Sequence, residues 1–192
     1  MQFIFLGSPG AGKGTQASIL AERWRIPHIS TGDILRTAIA NRTRLGIKAE
    51  TYVKTGKLVP NSLITAMLRE RFDEPDVEHG WILDGFPRTL VQDQILSDIL
   101  AAYQQPCPQI VWFEVPVEAL VVRMLDRGRQ DGTEAIIRRR FQVYQDDTAP
   151  LLGFYEQQGR LIKVDGNRSP HHVTQSLENA LLVNQHSQLV SV

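Results

Sequence analysis

GSPGAGKGT, residues 7–15, follows the apolar run QFIFL (2–6). Gly7, Gly12 and Lys13 match the phosphate-loop spacing G-x-x-x-x-G-K-[ST]. That pattern puts a hydroxyl for a magnesium ion directly after the lysine. Here the position is Gly14, and the hydroxyl comes one residue later, at Thr15. Successive backbone N–H groups in such a loop point inward and bind phosphate oxygens. The start of the following helix adds the positive end of its dipole, and Lys13 adds a full charge. QFIFL has the composition of a buried parallel strand. Ala17, Leu20, Ala21 and Trp24 recur at helical spacing and give the next segment one apolar face. Strand, glycine loop and helix therefore stand in the order that phosphate binding requires.

Working outward, WILD (81–84), QIVWFEV (109–115) and LIKV (161–164) are further candidate strands. Helical patterns occupy 61–72, 89–102 and 116–127, and another begins near Thr133 and is interrupted by Pro150. Val173, Leu177, Ala180 and Leu181 form a last apolar stripe, and 184–192 is polar and expected to fray. Alternating strands and helices predict a parallel sheet covered on both faces. Residues 30–59 break the alternation, with helical stretches near 31–40 and 44–54 and no strong strand. They predict a helical insertion at the ligand edge of the sheet.

A chain of 192 residues suffices for one domain with a sizeable core. Its 21 basic and 21 acidic residues balance, which argues against nucleic-acid binding by bulk charge. The lone cysteine, Cys107, excludes an internal disulfide and a cysteine zinc cage. No apolar run approaches the roughly 18 residues of a membrane span. The N-terminus has no basic region followed by a small-residue cleavage site, so a cytoplasmic location is the expectation.

Two further patterns carry chemistry. Asp84 ends the run WILD, where open parallel sheets place ligand groups, and a carboxylate there can hold Mg²⁺ through water. Arginines are the second pattern. Arg123 and Arg127 share a helix face, where like charges repel unless an anion compensates. Arg140 lies along the apolar side of the next helix with Ile136 and Tyr144, and an inward arginine requires an anion or a carboxylate. Arg36 stands one turn into the helix that opens at STGD, which Ser30 or Thr31 can cap. Arg88 follows the turn GFP. So many arginines beside a glycine loop suit two phosphate-bearing ligands facing each other better than one.

GSPGAGKGT (7–15), STGDILR (30–36), GKLVP (56–60), LDGFPRTLVQ (83–92), RGRQD (127–131) and RRRF (138–141) together make the chain resemble the adenylate kinase family over nearly its whole length. The family carries the same Gly-Thr pair after its lysine. The resemblance implies an α/β P-loop fold, three layers α/β/α around a central parallel sheet, with a helical AMP-binding insertion (30–59) and a short lid (about 127–132). The core would comprise 1–29, 60–126 and 133–192. It implies reversible Mg²⁺-dependent transfer of the terminal phosphoryl group of ATP to AMP, giving two ADP, by a monomer.

The resemblance also assigns residues. Gly10, Ala11, Gly12, Lys13, Gly14 and Thr15 would hold the ATP phosphates, with Arg123 and Arg127 on that side and Arg168 where backbone lies against the ATP base. Thr31, Arg36, Lys57, Leu58, Val59, Gly85, Phe86, Pro87, Arg88, Gln92, Arg129 and Arg140 would form the AMP side, Gln92 facing the adenine edge. Lys13, Arg88, Arg123, Arg127, Arg129 and Arg140 would act in catalysis, and Asp84 would hold Mg²⁺ through water. Members with a long lid carry many more residues there, sometimes with a zinc site; this chain resembles the short-lid type without structural zinc. It departs from the family's usual acidic DDTEE after the lid arginine, having DGTEA, so Gly132 and Ala135 replace two carboxylates. The acceptor is a phosphate that is already anionic, so no general base is needed and a single direct in-line transfer is expected. A pyrimidine nucleoside monophosphate kinase on the same fold is the nearest alternative, and Thr31 and Gln92 favour AMP over it. A guanine-nucleotide switch would carry N-K-x-D, which is absent.

Overall fold

The computed structural model describes residues 1–126 and 133–189, with the backbone alone for Asp126 and residues 182–189. The chain begins with β1 (Gln2–Leu6), the glycine loop and α1 (Lys13–Trp24). Then come β2 (His28–Ser30), α2 (Thr31–Ala40), α3 (Arg44–Lys54), α4 (Asn61–Phe72) and β3 (Trp81–Asp84). The second half runs α5 (Leu90–Ala102), β4 (Gln109–Glu114), α6 (Val117–Asp126), α7 (Glu134–Val143), α8 (Pro150–Gln157), β5 (Leu161–Asp165) and α9 (Pro170–Leu189).

The five strands form one parallel sheet in the order β2-β3-β1-β4-β5. Phe3 stands opposite Ile82 on one neighbour and Gln109 on the other. Side chains alternate across a strand, so this register sorts the apolar residues into two cores. Phe3, Phe5, Ile82, Val111 and Phe113 face Ala17, Leu20 and Ala21 of α1 and Val173, Leu177 and Leu181 of α9. Ile4, Leu6, Leu83 and Ile110 face the other way, towards Leu68 and Phe72 of α4, Leu96 and Ile99 of α5 and Tyr155 of α8. The sheet is thus the middle of three layers, as expected.

Four local readings are corrected. β2 was not anticipated, because three residues are too few to show a period. β4 ends at Glu114, leaving Val115 outside the strand. Pro150 does not interrupt a helix but opens α8 at its first turn, where its missing N–H costs nothing. The helix that begins near Thr133 ends before it, passing at Val143 into the π-helical turn Tyr144–Thr148. At the C-terminus α9 remains helical to Leu189, past the point where the polar tail was expected to fray.

Side chains anchor the helices that border the ligand edge. Ser30 Oγ accepts from Asp33 N–H and caps α2, Thr43 caps α3 through Gly46 N–H, and Thr89 caps α5 through Gln92 N–H. Gln16 on α1 and Thr174 on α9 form a buried pair, Thr174 Oγ1 donating to Gln16 Oε1 at 2.7 Å. That contact ties the helix after the glycine loop to the end of the chain.

Candidate active site

Strands β1, β2, β3 and β5 run at their C-terminal ends into Gly7, Thr31, Gly85 and Gly166, and all four residues line one cavity of about 670 Å³. This is the edge where open α/β sheets bind ligands, and the volume suits small molecules. At one end lies the glycine loop. α1 begins at Lys13 after Gly12, whose φ of 92° is left-handed and favours glycine. The first turn of α1 holds no acidic residue to oppose an incoming anion. Lys13 arches back over the loop, Nζ donating to the carbonyls of Gly7 at 2.7 Å and Ser8 at 3.0 Å.

Asp84 stands beside that loop. A Cβ built on Gly14 would lie 3.5 Å from Asp84 Oδ2, so the carboxylate faces the position where the motif's hydroxyl is missing. Burial pushes its carboxyl up, but the His28 imidazole and the Lys13 and Arg88 charges outweigh that and hold it below the ordinary carboxylate value. His28 Nε2 is 3.8 Å from Oδ2, beyond direct hydrogen bonding, and is buried without a hydrogen-bond partner among the described residues. Sequence reading missed His28, which stands in the short strand that was also missed.

The other end of the cavity is cationic. Arg88, after β3, donates from Nε to Gly85 O at 2.7 Å. Burial, then the charges of Arg140 and Arg36, pull its pKa down against the pull of Asp84. A guanidinium stays protonated even so, and three of them close together favour a bound anion. Arg36 lies over Gly32 and is paired with Asp33. Arg140 reaches the cavity from α7 past Gly56, where a built Cβ would be 3.4 Å from its Cγ. Arg123 on α6 donates to Gly166 O at 3.0 Å and Asn167 Oδ1 at 3.2 Å, which fastens the loop after β5. Arg168, on that loop, pairs with Asp165 at 2.9 Å.

Every candidate residue within the described chain borders this cavity: 10–15, Thr31, Arg36, 57–59, 84–88, Gln92, Arg123, Arg140 and Arg168. Arg127, Arg129, Gly132 and the expected lid at 127–132 lie outside the described residues. The cavity also takes in Val143, Tyr144 and Thr148, which the turn after α7 brings round. Its described lining contains no histidine and no cysteine. What the arrangement can do is hold a chain of phosphates between a helix N-terminus and a guanidinium cluster, with one carboxylate at its side.

Known proteins are similar to this chain in sequence. The sequence profile of the family described as adenylate kinase matches residues 5–160. Adenylate kinase 1 of Nostoc sp. (strain PCC 7120 / SAG 25.82 / UTEX 2576) is 48% identical over 180 residues, covering 94% of this chain and 98% of its own. An adenylate kinase of Xylella fastidiosa (strain M12) is 44% identical, over 94% of this chain and 99% of its own. One of Corynebacterium urealyticum (strain ATCC 43042 / DSM 7109) is 42% identical, with the same two coverages.

Proposed function

We propose a detailed reaction from one premise: the chain belongs to the adenylate kinase family. It is an enzyme of that type and moves a phosphoryl group between adenine nucleotides. The finer reading is that ATP and AMP bind together, ATP at the glycine loop and AMP at the Arg36, Arg88 and Arg140 end, and that two ADP leave. The observation that carries it is one cavity lined both by a phosphate loop and by three neighbouring guanidiniums, those of Arg36, Arg88 and Arg140.

In this reading an oxygen of the AMP phosphate attacks the terminal phosphorus of ATP in line, and the bond to the ADP leaving oxygen breaks. No side chain has to take a proton from an acceptor that is already anionic. Lys13 and the loop N–H groups hold the ATP phosphates, Arg88 spans the transferred group, and Arg36 and Arg140 hold the AMP phosphate. Their fixed charges offset the repulsion between two anions and stabilise charge spread over the transferred group. Thr31, 57–59, 85–87 and Gln92 form the wall against the AMP base; Arg123 and Arg168 belong to the ATP side.

Mg²⁺ fits the residues present. Asp84 is one ionised carboxylate facing the start of α1, and magnesium typically keeps its waters and takes one or two carboxylates plus substrate phosphates. When bound there it would neutralise phosphate charge. Among the described residues no group of three or more His, Cys, Asp or Glu side chains comes together to hold a metal by itself, so phosphates would complete the site. Residues 30–59 would be the AMP-binding unit of the single domain and 127–132 its short lid, in a cytoplasmic monomer that keeps adenine nucleotides in balance. Among the described residues no helix is long and apolar enough to cross a membrane.

A coupled assay for ADP tests the proposal, with ATP as donor and AMP, CMP, UMP or GMP as acceptor, with and without Mg²⁺. Rapid turnover with AMP, lost on chelation, is the expected result. Equal turnover with CMP or UMP, or full activity without Mg²⁺, contradicts it.

A further inference from the structure

Gln92 is 3% exposed, and both ends of its carboxamide are engaged by protein. Its Oε1 accepts from Arg88 N–H at 2.8 Å, and its Nε2 donates to Asn61 Oδ1 at 3.0 Å. A backbone N–H can only donate, so the end that faces Arg88 is the oxygen. Turning the amide over would set two donors against each other in a buried place. One lone pair on Oε1 and one hydrogen on Nε2 are left for the cavity that Gln92 lines. Asn61, the first residue of α4, does not line the cavity itself.

The sense of that amide has a chemical consequence. Adenine presents a donor at its 6-amino group and an acceptor at N1. Hypoxanthine presents the reverse, an acceptor at O6 and a donor at N1. A carboxamide free to turn over can pair with either edge, whereas one held in a single sense pairs with one. We propose that Asn61 is a specificity-positioning residue: with the Arg88 N–H, it holds the Gln92 carboxamide in the sense that accepts 6-aminopurine nucleotides and rejects 6-oxopurine ones. This rests on the reading of Gln92 as the residue facing the AMP base.

The choice of residue at position 61 then matters. The Arg88 N–H sets the sense and the residue at 61 reinforces it: an asparagine opposes reversal only in its present orientation, a carboxylate accepts in that one sense alone, and an alanine leaves the Arg88 N–H as the single restraint. The order of preference for adenine is therefore aspartate at or above asparagine, with alanine lowest. The test compares kcat/KM for AMP and for IMP as acceptors in the wild type, Asn61→Ala, Asn61→Asp and Gln92→Ala. The two acceptors carry the same phosphate, so a change in charge or stability cancels in the ratio. We expect Asn61→Ala to lower the AMP-to-IMP ratio by about fivefold or more, the low end of what one bidentate base contact discriminates. Asn61→Asp should keep or raise it. A ratio unchanged in Asn61→Ala but lowered in Gln92→Ala overturns the role of Asn61 and leaves the reading of Gln92 intact. A ratio unchanged in both overturns that reading, and the proposal with it. Should the alanine variant not fold, Asn61→Asp decides alone, since a ratio below that of the wild type overturns the proposal.

Discussion

Lys13 and Tyr155 show two ways in which single residues carry this molecule. The Lys13 ammonium already lies against the carbonyls of the loop it serves, so it is held in place before any phosphate arrives. Lys13→Met keeps the stem and removes the charge. We predict a fall in kcat/KM of about a thousandfold or more, the scale of losing a fixed electrostatic contact to the transition state, with an unchanged circular dichroism spectrum. Near-normal turnover contradicts the role. Tyr155 is fully buried on the α8 side of the sheet and donates to Asp93. Burial first, then Asp93, push its phenol well above its ordinary value of 10.0. The unfolded chain therefore loses this proton at a pH where the folded chain keeps it. The resulting stability is fully present below about pH 10 and is lost as pH rises beyond it. Urea denaturation between pH 9 and 11 should show a shallower alkaline decline for Tyr155→Phe than for the wild type, and identical slopes contradict the linkage (window set by the ordinary tyrosine value). The charged residues that line the cavity were legible in the sequence because an inward arginine requires an anion or a carboxylate, and they stand beside a glycine loop. His28 and Asn61 were not. Their roles arise from contacts such as that between Asn61 and Gln92, 31 residues apart, which no local spacing reveals.

At the scale of elements, α2 and α3 pack so closely that Gly46 has no room for a side chain. A Cβ there would stand 2.0 Å from the carbonyl oxygen of Ala38. Gly153 in α8 has nothing within 4 Å of the same built atom. Opposite outcomes follow for one substitution. Gly46→Ala should lower unfolding free energy by about 1–3 kcal/mol, as overpacking does, and raise the KM for AMP. Gly153→Ala should raise stability by about 0.5–1 kcal/mol, because alanine loses less entropy on entering a helix. Denaturant melts of both variants check this, and the same sign for both contradicts the packing described. The longer elements were readable because apolar period and length agree in β1, β3 and β5 and in α4 and α5. β2 was unreadable for want of length. Pro150 was misread because proline stops a helix in its interior and starts one at its first turn, and sequence alone does not say which side of the boundary it occupies.

For the whole molecule, alternation of strands and helices makes a parallel sheet evident but leaves the strand order open. That order, with β1 between β3 and β4, sets the glycine loop beside Asp84 and brings α6, α7 and the insertion round one cavity. In the proposed reaction a space with a phosphate loop at one end and a cluster of guanidiniums at the other holds two nucleotides at once. Equilibrium dialysis of ADP against the intact chain counts them most directly. The account predicts a plateau of two ADP per chain, reduced to a single bound molecule when a linked ATP–AMP mimic spans both places. A plateau of one ADP per chain contradicts it.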